Sequence, residues 1–135
     1  MENILADTHA IIWYAEDNKK LGSEARNLLD QGQAGKRQIY LSLMSLFEME
    51  YLIGKGKIDS KLPKLLLKNA KNPHAALQIL NIDQDVYRHF TTISHDLIPE
   101  LPDRIITASA LAKHCILLTR DTRIRESKLV KTAWA

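Results

Sequence analysis

The sequence predicts an α/β fold of three layers, α/β/α, in which a central parallel sheet of four to five strands is covered on both faces by helices. Three observations predict it. Short apolar segments rich in strand formers alternate with segments of helical character, which is the pattern of a parallel sheet with crossover helices. Hydrophobic residues make up 45% of the 135, enough for one core. No internal repeat, low-complexity tract or convincing linker divides the chain, so residues 1–135 read as a single domain.

Asn3 to Ala6 read as a first strand ending at Asp7, and a helical stretch follows through Ile11, Ile12, Trp13 and Tyr14. Ser23 is placed to cap a second helix over Glu24 to Leu29, which Gly32 with Gly35 is expected to end. Gln38 to Leu41 is rich in strand formers. Ser42 to Ile53 then reads as a helix with apolar residues on nearly every side, the signature of a buried element, stopped by Gly54-Lys55-Gly56-Lys57. A further helix is expected over Ile58 to Asn69, with Pro63 in its first turn; its cations Lys61, Lys64 and Lys68 read slightly better as a solvated face than as a nucleic-acid contact. Leu77 to Leu80 is the third strand. Asp83 caps a helix running to Thr92, and Ser94 to Leu101 form a loop. Pro102-Asp103-Arg104 starts a long helix through Ala112, Ile116 to Leu118 is the fourth strand, and Leu129 to Trp134 is a candidate edge strand.

Composition excludes several classes. The longest apolar runs, such as Leu65-Leu66-Leu67, fall far short of the roughly 18 residues of a membrane span. Acids among the first seven residues contradict a secretory leader, so a cytoplasmic location is expected. The single cysteine, Cys115, adjoins an apolar strand and reads as a small buried hydrophobe without chemistry. The net charge is +3, but if four of the 16 acids share one pocket, the remaining 12 face 19 Lys and Arg and the rest of the molecule is +7. A basic surface around an acidic pocket suits a polyanion whose phosphates meet metal ions.

Four carboxylates stand out by position: Asp7 after the first strand, Glu48 on the helix after the second, Asp103 opening the helix before the fourth, and Asp121 after the fourth. Ligand crevices of open parallel sheets lie outside the carboxyl ends of the strands, where strand order reverses. Asp7 and Asp121 meet there if the first and fourth strands are neighbours. Each acid also has an ordinary reading. Asp7 can cap the next helix, Asp103 can favour the positive end of its own, Asp121 can shape a turn, and Glu48 can form a capping box with Ser45. Glu48 resists that reading most, because Leu43 to Ile53 holds no lysine or arginine to pair with it. Two like charges about 4 Å apart repel by roughly 4 kcal/mol at an effective dielectric near 20, so clustered carboxylates call for protonation or a cation. Mg²⁺ or Mn²⁺ suits an all-oxygen donor set, and no thiolate set or spaced histidine pair suggests structural zinc.

These segments resemble a known family. Leu5-Ala6-Asp7-Thr8-His9-Ala10-Ile11-Ile12-Trp13 looks like the opening of PIN-domain toxins of the VapC type, and Leu41-Ser42-Leu43-Met44-Ser45-Leu46-Phe47-Glu48-Met49-Glu50 resembles their second motif. Pro102 to Ala110 and Leu117-Leu118-Thr119-Arg120-Asp121 are similar to the third and fourth, in the family's order and across nearly the whole chain. One departure stands in the third motif: where many relatives read Asp-Pro-x-Asp-Arg, this chain reads Glu100-Leu101-Pro102-Asp103-Arg104, which leaves open whether Glu100 is a ligand. Glu50 points about 200° around the helix from Glu48 and is read as structural.

The resemblance implies a PIN-like fold and a metal-dependent endoribonuclease, with Asp7, Glu48, Asp103 and Asp121 holding one or two Mg²⁺ or Mn²⁺ ions. Thr8 and Thr119 are candidates to hydrogen-bond the ligand carboxylates, or are simply cap and strand-end residues. Arg104 and Arg120 are candidates to steer phosphate or pair with the acids. His9 is a candidate phosphate or metal neighbour but reads better as an ordinary surface or core residue, His74, His89, His95 and His114 are scattered without ligand spacing, and Trp13, Tyr14 and Tyr51 read as core or dimer-interface residues rather than base-stacking ones. The resemblance further implies an RNA substrate, a VapB-like antitoxin and a homodimer. The alternative is a PIN-like RNA-binding or interaction module without catalysis. A phosphoacceptor receiver domain does not fit, because Ala6 and not a second acid precedes Asp7.

Overall fold

The computed structural model describes the whole chain, Met1–Ala135. Five parallel strands, β1 (Ile4–Ala6), β2 (Ile39–Ser42), β3 (Leu77–Leu80), β4 (Ile116–Leu118) and β5 (Thr132–Ala133), form one sheet in the order β3-β2-β1-β4-β5. Strand order runs outward from β1 in one direction through β2 and β3, then restarts on its other side with β4, so the reversal falls between β1 and β4. Those two are paired in register, Ile4 with Ile116 and Ala6 with Leu118, which meets the condition for Asp7 and Asp121 to face one crevice.

Alternation along the strands divides the core. Ile4, Ala6, Ile39, Leu41, Ile116 and Leu118 point to the layer of α1 (Thr8–Ala15), α2 (Ser23–Gln33), α3 (Leu43–Gly54) and α4 (Leu62–Ala70). Leu5 and Leu117 point the other way, to α5 (Gln84–Phe90), α6 (Leu101–Lys113) and α7 (Thr122–Ser127). Both faces are thus covered, and the central strands β1 and β4 are apolar and buried throughout, as a buried parallel sheet requires. No helix is long and apolar enough to cross a membrane. Cys115 is buried, and burial pushes its thiol up to about 11.

Several expectations need correction. The helix after β2 is not a buried element: Ser45 and Met49 are its only fully buried residues, while Phe47 is 61% and Tyr51 64% exposed. Its apolar surplus lies beside α4, whose Leu65 and Leu67 are also exposed, so all-round apolarity here marks a bare surface rather than an interior. Ser23 begins α2 instead of capping it, the cap position belonging to Gly22. Gly32 does not end that helix. It sits inside it because Ile39 packs where its Cβ would be, 2.3 Å away, and the left-handed turn comes at Gly35, φ 80°. The fourth helix starts four residues late, at Leu62, with Pro63 in its first turn. α7, a short polar helix capped by Asp121, was not expected at all.

Gly22 anchors the C-terminal segment. A Cβ there would lie 2.0 Å from the Trp134 carbonyl oxygen, which accepts a hydrogen bond from Ala25 N–H. Gly22→Ala is therefore expected to destabilise the protein by about 1–3 kcal/mol in urea unfolding, the usual cost of overpacking. Gly54→Ala, where a Cβ meets open space, should leave the midpoint unchanged or raise it slightly.

Candidate active site

The carboxyl ends of β1, β2 and β4 lie side by side; β1 and β4 continue directly into Asp7 and Thr119, and β2 ends on Ser42. Asp7 N–H donates to the Leu118 carbonyl at 3.0 Å, which ties the start of α1 to the end of β4. The Asp7 side chain caps α1, with Oδ1 accepting from Thr8 N–H at 2.8 Å, yet this engages only one oxygen. The other, Oδ2, accepts from the Thr119 hydroxyl at 2.6 Å. Thr119 Oγ1 in turn accepts from Asp121 N–H at 3.1 Å.

A second hydroxyl chain runs toward α3. Thr8 Oγ1 lies 2.6 Å from Glu48 Oε1 and 2.8 Å from Ser45 Oγ. Thr8 has one hydroxyl proton and an ionised Glu48 can only accept, so Thr8 donates to Glu48 while Ser45 donates to Thr8. Glu48, Thr8, Asp7, Thr119 and Asp121 thus form one continuous polar line from α3 across the ends of β1 and β4. Ser45 was overlooked as a member. Its spacing from Glu48, three residues on one helix face, was the available signal and was read only as a capping box.

Asp103 stands in the first turn of α6, and Asp121 caps α7 through Oδ1, which accepts from Ile124 N–H at 3.0 Å. Both line a cavity of about 590 Å³ with Glu100, Arg120 and Arg123. Thr8, His9, Phe47, Glu48, Tyr51 and Pro102 line a neighbouring cavity of about 460 Å³. Glu100 occupies the cap position of α6 without making a capping bond and is exposed.

The electrostatics show how tightly the acids crowd. Burial, then the charges of Asp7, Asp121, Glu48 and Glu100, push Asp103 up to about 7. Burial raises Asp7, against the pull of Thr119, Thr8 and His9, and Asp121 raises it further. Half-buried Glu48 is raised by burial and by Asp7, against the Thr8 hydrogen bond. No ion pair within 4.0 Å involves any of these acids; the ion pairs present join other residues.

Of the two arginines, neither pairs with an acid. The Arg104 guanidinium lies over the Phe90 ring on α5, 5.0 Å from its centroid, and its Nε is buried without a hydrogen-bond partner. Arg120 stacks over the buried Trp13 indole at 4.4 Å and stays on the cavity wall. Tyr51 is exposed, not packed in the core, whereas Trp13 is buried. Burial lowers His9 below its usual range, with Arg120 and Lys57 lowering it further against the opposite pull of Asp7 and Glu16.

No three acidic, histidine or cysteine side chains converge tightly enough to enclose a metal ion alone. The donor set nonetheless fits a hydrated hard cation: Mg²⁺ is commonly held by one or two carboxylates and completes its shell with water and substrate phosphate. Asp7, Glu48 and Asp103, raised by burial and by neighbouring acids and without a basic partner, supply the charge such an ion neutralises.

A doubly wound parallel sheet with an anionic crevice at its topological switch point defines the class of protein. Residues 4–128 match the family model described as the PIN domain, and the chain belongs to the PIN-domain family, whose members are typically metal-dependent nucleases. No curated protein matches the chain. Among solved structures, the chain is similar to one from the VapBC2 complex of Rickettsia felis bound to a promoter DNA fragment, at 16% identity, TM-score 0.66 and 98% coverage of both chains. A toxin–antitoxin complex from Klebsiella pneumoniae matches at 22% identity and TM-score 0.66, covering 97% of this chain and 96% of that one. DNA-bound VapBC from Salmonella typhimurium matches at 19% identity, TM-score 0.62 and 98% coverage of both.

The Asp103 carboxyl, raised from 3.8 to about 7, binds its proton more tightly in the folded chain than in the unfolded one. Its contribution to stability is therefore full below pH about 4 and is lost as pH rises through about 7. In metal-free buffer, wild type is expected to melt with Asp103→Asn at pH 4 and progressively below it toward pH 8. A constant difference between the two across that range contradicts the crowding.

Proposed function

We propose that this protein is a Mg²⁺- or Mn²⁺-dependent endoribonuclease that hydrolyses RNA phosphodiester bonds as the toxin component of a VapBC-type module. The observation that carries this reading is the convergence of Asp7, Glu48, Asp103 and Asp121, from four separate segments, on the crevice where strand order reverses. Membership of a family of typical nucleases and the likeness to toxin–antitoxin structures support it.

In the proposed mechanism Asp7, Glu48, Asp103 and Asp121 would hold the metal directly or through water, and Glu100 lies on the wall of the cavity that Asp103 and Asp121 line. When bound, the ion lowers the pKa of a water and offsets charge on the phosphate and the leaving oxygen. Thr119 and Thr8 fix the rotamers of Asp7 and Glu48, which leaves Glu48 Oε2 and the second lone pairs of the Asp7 oxygens for a cation. An attacking water displaces the ribose oxygen at phosphorus in one step, and no covalent protein intermediate forms.

A homodimer and a VapB-like antitoxin complete the proposal. The exposed apolar side chains of Phe47, Tyr51 and Leu67 support it, since Phe47 shares one cavity wall with Tyr51 and another with Leu67, and contiguous apolar surface on a small domain marks an interaction face.

The test is cleavage of end-labelled RNA with Mn²⁺. Asp7→Asn and Asp103→Asn are each expected to lower the rate more than about 100-fold, beyond the 10–100-fold typical of groups outside the metal's own ligands. Thr8→Val and Thr119→Val should fall within that lower range. Wild-type rates in both Asn variants would remove these acids from the chemistry, and RNA binding without divalent-dependent cleavage would favour a non-catalytic module.

A further inference from the structure

Beside the acidic crevice lies a third, basic cavity of about 360 Å³, lined by His9, Trp13, Lys20, Lys57 and Arg120 with Glu16 as its one acid. Arg120 belongs to the walls of both cavities, so the two adjoin at the residue between Thr119 and Asp121. Three permanent cations therefore face one small space. None of Lys20, Lys57 and Arg120 forms an ion pair within 4.0 Å, although acids are abundant next door.

The buried Trp13 ring is the platform of this cavity. Arg120 lies 4.4 Å and the Lys20 ammonium 5.8 Å from its centroid, both within cation–π range. The indole is 6% exposed and so presents cations, not a bare face for base stacking. His9, tilted 5.3 Å from the same ring, lines this cavity and the one beside Glu48. A polyanion strand crossing the crevice would set one phosphate against the acids and a neighbouring one against these cations.

We infer that the cavity of Lys20, Lys57 and Arg120 is a phosphate subsite for the nucleotide adjoining the scissile bond of a single-stranded RNA, with Trp13 as the positioning residue that holds Arg120. The inference rests on the nuclease reading and gives it a direction: RNA crosses from the acidic crevice toward α1 and the turn after α3. Contact is to the backbone, so the subsite contributes affinity without sequence preference.

The probe is a fluorescein-labelled single-stranded RNA 12-mer, followed by anisotropy with Mg²⁺ in an Asp103→Asn background and by cleavage kinetics with Mn²⁺ in the wild-type background. Lys57→Ala is expected to weaken binding about tenfold for two unrelated sequences alike, to reduce the slope of log K against log salt by about 0.7, and to raise KM more than it lowers kcat. Lys57→Arg should restore most of the affinity, and Lys36→Ala, an exposed cation before β2 at the opposite edge of the sheet, should change nothing. Unchanged affinity and salt slope in both Lys57→Ala and Lys20→Ala, with wild type still cleaving, overturn the subsite and leave the nuclease reading standing. A wild type that neither binds nor cleaves the RNA overturns both.

Discussion

Repulsion among carboxylates gathered at the carboxyl edge of one sheet is the constraint around which this molecule is arranged. Asp7 and Asp121 are brought together only because β1 and β4 pair, and Asp103 is pushed up to about 7 by burial and by the acids around it. Such a cluster costs stability in the empty protein and persists where a bound cation offsets the charge. The fold carries that cost beside β1 and β4, which are buried throughout and contribute to the apolar core on both faces of the sheet.

The hydroxyls explain how the cluster stays ordered. Thr8, Ser45 and Thr119 join Glu48, Asp7 and the backbone of Asp121 into one line, each hydroxyl both giving and receiving a hydrogen bond where its partners allow. Neutral donors orient the carboxyls without cancelling their charge, which an arginine or lysine in the same positions would do. The cations are instead held outside: Arg104 on Phe90 and Arg120 on Trp13. Aromatic rings thus keep positive charge near the crevice yet out of ion pairs with it.

Much of this was legible in the residues. The segments Leu77–Leu80 and Ile116–Leu118, rich in strand-compatible apolar residues and each followed by polar ones, emerge as β3 and β4 with those bounds. The acids at strand ends were legible along with them. What remained hidden depends on pairings distant in sequence. α7 has six mostly polar residues and a single buried one, Ile124, too little periodicity to register. The bareness of Phe47 and Tyr51 could not be read from α3 alone, since apolar residues on all sides describe a buried helix and an interaction surface equally well. Arg104 next to Asp103 suggested an ion pair, but α5 packs against α6 and draws the guanidinium onto Phe90.

The most direct test of the account is the melting temperature at pH 8 as Mn²⁺ is added to metal-free protein. Binding to the folded chain alone raises apparent stability as RT ln(1 + [L]/Kd), so wild type should climb steadily with Mn²⁺ while the Asp7→Asn/Asp103→Asn double variant, already relieved of two charges, starts higher and stays flat. Equal response of the two proteins, or none in wild type, would contradict the claim that these carboxyls are gathered for a divalent cation.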